Sequence, residues 1–384
     1  LLIASMLNPM THLILAGITA FLVVLLATPS LIKVAILKRL FDEPGDARKL
    51  HKRVIPTIGG IIIFAATLFA CALWFPYDKP DSEVGQTGVR LFQFVVATLI
   101  IMFFVGIKDD IIGTAPIKKL AAHVIVGMIL VLMAETRIRS MHGLFGISEL
   151  PLWASIFLSL FAMIVIVNAY NLIDGVDGLA SGVGLIGAAT LGVAFAITDQ
   201  LVPAVLAFSL SGALGAFLVF NFSPAKIFMG DSGSLSIGLI MSILAITFIE
   251  FTPTATTPLW IKPLINPVVG MAVLAYPLTD TLRIFGHRAL RGVSPFSADR
   301  NHLHHLLIDS GMSHAKTVIA IYAANIGVIA LAAYTSMMMN ITLSFIITGA
   351  TVVLLTLIPW MLKRMYVAKQ KDGGKTRHIN EVAA

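Results

Sequence analysis

Long charge-free runs follow one another along the chain, broken by short segments that carry almost all of its ionisable residues. Such runs extend from Thr11 to Ile32, Val54 to Tyr77, Leu91 to Ile107 and Pro151 to Ile173. Four more run from Gly178 to Thr198, Leu201 to Asn221, Ser234 to Ile249 and Pro263 to Thr279, the last containing Pro267 and Pro277. A helix crosses a bilayer with about 20 mostly apolar residues, so each run reads as a span. Leu120 to Ala134 is short, but Lys118, Lys119 and Arg137 can snorkel from its ends. Thr317 to Leu362 is too long for one crossing, and the polar Thr335, Ser336 and Asn340 predict a hairpin between two spans. The pattern therefore predicts an all-α, polytopic helical bundle of about eleven spans.

Basic residues orient the bundle, because Lys and Arg accumulate on the cytoplasmic side. Residues 1–10 carry none, whereas Lys33, Lys38 and Arg39 follow the first run, which predicts an outside N-terminus and argues against a cleaved signal peptide. Eleven crossings then put the C-terminus inside, and the segment from Lys363 onward is basic. Of 27 Lys and Arg, all but Lys79, Arg90, Arg137, Arg139 and Lys262 fall on the cytoplasmic side of this scheme. No repeat and no loop long enough for a soluble domain interrupts it, so residues 1–384 read as a single membrane domain. Its inner loops are about 33–53, 108–119, 171–177, 222–233 and 280–316, with a basic tail at 363–384.

Composition sharpens this picture. The chain is 58% hydrophobic and 12% charged, about half the charge of a soluble protein, which excludes a water-soluble enzyme. The net charge of +7 suits anionic lipid and anionic substrates, while the apolar bulk speaks against nucleic acid as the partner. The lone Cys71 lies in an apolar run, so neither a disulfide framework nor a cysteine metal site can form, and a buried packing thiol is expected.

Carboxylates at membrane depth mark function by default. Asp109, Asp110, Asp174, Asp177, Asp231 and Asp280 all fall at the inner face of the predicted bundle. Their repulsion calls for a cation or raised pKa values, and oxygen ligands without thiols favour Mg²⁺ or Mn²⁺. Glycine and amides surround the acids in Asn168-Ala-Tyr-Asn171-Leu-Ile-Asp174-Gly-Val-Asp177-Gly and in Asn221 to Ser234, where backbone amides can approach an anion closely. Arg48, Lys49, His51, Lys52 and Arg53 supply positive charge from one inner loop. Arg288, Arg291, Arg300, His302, His304 and His305 supply it from another. Phe228 offers a base-stacking platform. Acids for a metal, and amides and cations for phosphates, are the elements of phosphoryl transfer from a nucleotide. Asp280 is as readily explained by pairing with Arg283 or His287. Two adjacent histidines on a short loop without a thiol fit phosphate contact better than zinc. Met337 to Met339 read as hairpin packing.

Five blocks in order resemble the polyprenyl-phosphate N-acetylhexosamine-1-phosphate transferase superfamily. They are Asp42 to Gly60, Asp109-Asp110, Asn168 to Gly178, Phe228-Met-Gly-Asp231, and Ser294-Pro-Phe to His305. The resemblance implies transfer of a sugar 1-phosphate from a UDP-N-acetylhexosamine to undecaprenyl phosphate, releasing UMP, in the bacterial inner membrane with the site toward the cytoplasm. By position it implies that Asp231 and Asn171 hold Mg²⁺, and that Asp109 and Asp110 orient or deprotonate the acceptor phosphate. It places Lys52, Asn168, Asp174, Asp177, Asn221 and Phe228 around the nucleotide, and Arg300, His302, His304 and His305 at the diphosphate and sugar. The spacing of His302-Leu-His304-His305 is nearer the N-acetylglucosamine type than the muramyl-pentapeptide type. It leaves the oligomeric state open, with a homodimer the form such proteins often take.

Exchange of one phosphoanhydride for another is nearly thermoneutral, so positioning and charge neutralisation suffice and no ATP motif is needed. Direct attack by the already ionised acceptor is preferred to a phospho-aspartate on Asp231 or Asp109. A secondary transporter would place its ionisable residues near the bilayer midplane, often in repeated halves, and neither feature is present. A CDP-alcohol phosphotransferase would need an Ala-Arg after its Asp-Gly pair, which Asp174-Gly-Val-Asp177-Gly-Leu-Ala-Ser lacks.

Overall fold

The computed structural model describes residues 8–38, 41–42, 55–76, 83–255, 257–290, 292 and 302–382. It is helical almost throughout. In chain order the helices are α1 (Pro9–Leu37), α2 (Gly59–Leu73), α3 (Glu83–Ile112), α4 (Pro116–Met128), α5 (Leu152–Ile173), α6 (Leu179–Ile197) and α7 (Leu201–Asn221). They continue as α8 (Gly230–Glu250), α9 (Pro267–Val273), α10 (Ala275–Leu290), α11 (Leu303–Asp309), α12 (His314–Met338) and α13 (Ile341–Val382). Two small antiparallel pairs accompany them: β1 (Phe41–Asp42) with β2 (Ile55–Pro56), and β3 (Ser140–Leu144) with β4 (Ile147–Glu149).

Among the described residues nine helices are long and apolar enough to cross a membrane. The pair α9 and α10 passes the same test together but bends by 83° at Leu274, so the run predicted as one straight span is a broken helix. Pro267 opens α9 and Pro277 lies in the first turn of α10. Proline is tolerated at helix starts, whereas a continuous helix would lose a hydrogen bond at Pro277. The run from Val54 to Tyr77 yields only the 15-residue α2, because Ile55 and Pro56 leave it to pair with β1. The run near Leu120 is helical from Pro116 to Met133, its last five residues forming a π-helical turn. The predicted hairpin is present: α12 ends at Met338, Asn340 Oδ1 accepts the Leu343 N–H at 2.9 Å, and Thr335 bonds Ser344 at 2.7 Å.

The central helix α8 has nearly every side chain buried, from Ser232 to Ile249. It packs against α5, α3, α2 and α6, and α1 and α7 pack on one another beside it. Close approach depends on glycine at two points. A Cβ on Gly60 or on Gly106 would run into the backbone at Gly233 or Ser232, so α2 and α3 both lie directly against the first turn of α8. Outward faces carry Phe104, Trp153, Phe157, Leu354 and Met361, as lipid-facing helices do.

Candidate active site

Four helix ends converge on one face of the bundle. Asp109 and Asp110 close α3, Lys119 opens α4, Asn171 closes α5 and Asp231 opens α8. The Lys119 ammonium lies 2.6 Å from Asp109 Oδ2 and also touches Asp231 Oδ2, so one positive charge joins two carboxylates from different helices. Asn171 Nδ2 donates to Asp231 Oδ1 at 2.9 Å and to Ser234 Oγ at 3.1 Å, which fixes the second Asp231 oxygen from the α5 side. Lys119 was expected only to snorkel. Its sequence signal was a lone position beside Lys118 at the head of an apolar run, and nothing local distinguishes the two lysines.

Asp110 has a different task from Asp109. Its two oxygens accept the Asp231 N–H at 2.6 Å and the Ser232 N–H at 3.0 Å, so it caps the N-terminus of α8 across the helix interface. Gly230 precedes that turn at φ +71°, a conformation that favours glycine, and a Cβ there would press on both Asp110 oxygens at 2.8 Å. The pair expected to act together at an acceptor phosphate is thus divided: Asp109 faces the cation, and Asp110 fixes the turn that presents Asp231.

The segment after α5 bends around the same turn. Asp174 accepts the Gly230 N–H, but burial, and then the like charges of Asp231, Asp110 and Asp177, push its carboxyl well above the ordinary range. Asp177 Oδ2 accepts the Ala225 N–H at 3.0 Å. Asn221, only 3% exposed, is wholly engaged: Oδ1 accepts from Gly178 N at 3.1 Å and Ser181 Oγ at 2.8 Å, and Nδ2 donates to the Ile227 carbonyl at 3.0 Å. Asn221, placed at the nucleotide by the family resemblance, ties the Asp174–Gly178 bend to the loop before α8. Phe228 is half-buried in that loop, its N–H bonded to the Pro56 carbonyl at 2.7 Å and its carbonyl to the Gly59 N–H at 2.9 Å. Asn168 donates to the Ile164 carbonyl at 2.7 Å and lies 3.3 Å from His123 Nδ1, joining α5 to α4 one turn away from Asn171 and Lys119.

The histidines form the other wall. His302 Nδ1 lies 2.9 Å from Asp280 Oδ2, while Asp280 Oδ1 accepts the Leu303 N–H at 2.9 Å and pairs with Arg283 at 3.1 Å. Asp280 is fully buried. As a carboxylate it can only accept, so His302 carries a proton on Nδ1. Its pairing with Arg283 is one of the two that the sequence offers, whereas its grip on His302 joins residues 22 apart across an inner loop, which no local pattern marks. His304 stacks on His302 with centroids 5.4 Å apart, and His305 leans on His304 at 4.4 Å. Tyr276 Oη lies 3.2 Å from His304 Nδ1, and the Nε2 of His304 faces Gly175. Burial holds the His304 imidazole down at about 3, so it is neutral near pH 7. Tyr322 of α12 donates to the Gly178 carbonyl and ties α12 to the Asp174 bend. Lys52 and Arg300 lie outside the described residues, as do Arg48, Lys49, His51, Arg53, Arg291 and the Ser294-Pro-Phe segment.

No three His, Cys, Asp or Glu side chains among the described residues stand close enough to hold a metal alone. Two carboxylates around one cationic group fit a hard cation that takes one or two protein oxygens and completes its shell with water and substrate.

The model of the family described as "Glycosyl transferase family 4" matches residues 92–249, which include Asp109, Asp110, Lys119, Asn171, Asp174, Asp177, Asn221, Phe228 and Asp231. A decaprenyl-phosphate N-acetylglucosaminephosphotransferase of Mycolicibacterium smegmatis is 33% identical over 375 residues, 93% of this chain and 90% of the relative. The undecaprenyl-phosphate alpha-N-acetylglucosaminyl 1-phosphate transferase of Escherichia coli K12 is 30% identical over 308 residues, 78% of each chain. A probable undecaprenyl-phosphate N-acetylglucosaminyl 1-phosphate transferase of Bacillus subtilis is 31% identical over 314 residues, 82% of each. The chain belongs to glycosyl transferase family 4. In this family 4 member the carboxylate centre lies inside the matched region, and the histidine wall is added by the 302–309 segment beyond it.

Proposed function

We propose that this protein transfers N-acetylglucosamine 1-phosphate from UDP-N-acetylglucosamine to undecaprenyl phosphate, releasing UMP, at the cytoplasmic face of a bacterial inner membrane. The observation that carries the reading is the Asp109–Lys119–Asp231 bridge, with the His302–His304 wall joined to it through the Asp174 bend. The names of the relatives supply the substrate class.

Two anionic reactants must meet here, so charge has to be neutralised before phosphorus is attacked. Asp109 and Asp231 are the residues that would hold Mg²⁺, with Asn171 locking the Asp231 carboxylate in place. When bound, Mg²⁺ would offset charge on the diphosphate and polarise the phosphorus. Lys119 then has its ammonium beside the reacting phosphates, and His302, held by Asp280 and backed by the buried His304, is the histidine that would meet the donor. An ionised oxygen of the acceptor phosphate attacks the β-phosphorus in line. The bond from that phosphorus to the bridging oxygen breaks, and UMP leaves with the electron pair. The acceptor needs no proton removed near neutral pH, so Asp109 serves charge and orientation.

Purified protein, undecaprenyl phosphate, Mg²⁺ and a panel of UDP-sugars test the reading by release of UMP and formation of the lipid-diphosphate sugar. Turnover with UDP-N-acetylglucosamine that is lost with chelator and restored by Mg²⁺ supports it. Absence of UMP release with every UDP-N-acetylhexosamine refutes it.

A further inference from the structure

A second cavity lies away from the carboxylates, between α12 and α13. Its volume is 290 Å³, close to the lower end of ligand pockets at about 300 Å³. Ala320, Ala324, Leu355 and Ile358 wall it, and Ala320 and Ile358 are exposed, so it opens sideways from the bundle toward lipid. Tyr276 and Leu303 close its inner end.

Two features point to an occupant. Asn325 also lines the cavity, 2% exposed; its Oδ1 accepts the Tyr276 N–H at 3.3 Å, while its Nδ2 has no partner. A buried donor left unpaired is costly, so an oxygen brought in with a ligand would be favoured there. Cations frame the mouth. Lys316 precedes Ala320 by one turn, and Lys363 and Arg364 follow Pro359 and Trp360 by one turn. Arg364 lies over the Trp360 ring at 3.6 Å, an arrangement suited to the headgroup level. Asp309 pairs with Lys363 at 2.7 Å, but both side chains reach solvent and the pair can be exchanged for a headgroup phosphate at little cost.

We propose that this cavity binds one acyl chain of an anionic phospholipid, whose headgroup rests on Lys316, Lys363 and Arg364 and whose ester oxygen, or a water carried with it, meets Asn325. The placement of charge favours a phospholipid over the polyprenyl acceptor. The cationic rim is at the lateral mouth, and neither Asp109 nor Asp231, where an acceptor phosphate has to be, lines the cavity, whose Tyr276 and Leu303 instead bond His304 and Asp280. The same two residues couple the cavity to the site: Tyr276 holds His304, and the Leu303 N–H holds Asp280, which holds His302. An acyl chain against them therefore steadies the histidine wall, and this coupling rests on the proposed function.

The full chain is purified in detergent, exchanged into nanodiscs of phosphatidylcholine with or without phosphatidylglycerol, then washed and its retained lipid identified by mass spectrometry. Wild type should retain about one phosphatidylglycerol per chain, and Ala324→Trp, which fills the cavity, about tenfold less. Ile358→Trp, at the exposed mouth, repeats the test should Ala324→Trp not fold. Lys316→Gln with Arg364→Gln should abolish the preference for phosphatidylglycerol over phosphatidylcholine. Equal retention by wild type and the tryptophan variants, or retention of polyprenyl phosphate in place of phospholipid, overturns the proposal. Turnover should rise about threefold with phosphatidylglycerol in wild type and stay flat in Ala324→Trp; retention without that rise overturns the coupling. Lipid retention is read without turnover, so an inactive wild type would refute the proposed function while leaving the lipid site standing.

Discussion

Lys119 and Asp231 touch across 112 residues of sequence, the ammonium at the head of one helix against a carboxylate at the head of another. Helix N-termini favour anions, so a lysine there is out of place unless acids from other helices hold it, and Asp109 and Asp231 do so.

Removing that ammonium should therefore unbalance the centre as much as removing an acid. Lys119→Met and Asp231→Asn are each expected to lower kcat by at least about a hundredfold. The double variant should be scarcely worse than either alone, because the groups act as one unit. Steady-state UMP release measures this, and additive losses would mean that the contact is not used.

Asp110 should behave as a structural cap. Asp110→Ala removes the acceptor for two backbone N–H groups at the start of α8 and is expected to lower stability by about 2 kcal/mol. Asp109→Ala should leave the melting temperature nearly unchanged while abolishing turnover. Thermal melts in one detergent compare the pair, and equal melting temperatures would remove the cap from the account.

Asn221→Leu separates a joint from a nucleotide contact. Three internal hydrogen bonds are lost, so the melting temperature should drop, and kcat should fall more than KM for the UDP-sugar rises. A change confined to KM would restore Asn221 to the nucleotide pocket.

His304 makes a pH signature. Its folded value of about 3 lies below the 6.5 of an unfolded histidine, so folding favours the neutral ring. The resulting stability is complete above 6.5 and is lost as pH falls from there toward 3. Melting temperatures measured from pH 7.5 down to pH 5 should fall more steeply in wild type than in His304→Gln, which cannot titrate. Parallel curves would show that the ring is not held neutral.

Much of this was legible in the chain. Hydrophobic run length located the helices because lipid requires every backbone group to be paired within a helix, and this constraint acts on each segment separately. The acids stood out for the same reason, since a carboxylate in an apolar sequence needs a purpose. Residue type did not divide the labour among them. Asp109 and Asp110 are adjacent and identical, yet successive side chains on a helix point about 100° apart, which turns Asp110 onto the first N–H groups of α8 and Asp109 toward Lys119 and the Asp231 side chain. Lys118 and Lys119 differ in the same way. Asn221 resembled a ligand-binding amide until its partners, Gly178, Ser181 and Ile227, were seen to surround it. The break at Leu274 needed Pro277 and the packing of α10 on α5, and only the break brings Asp280 to His302. Sequence alone determined which segments enter the membrane and which residue types gather at one face, since desolvation is a local cost. Tertiary structure decided which of those residues touch, because hydrogen bonds and ion pairs depend on directions and distances that separate helix ends acquire only when packed.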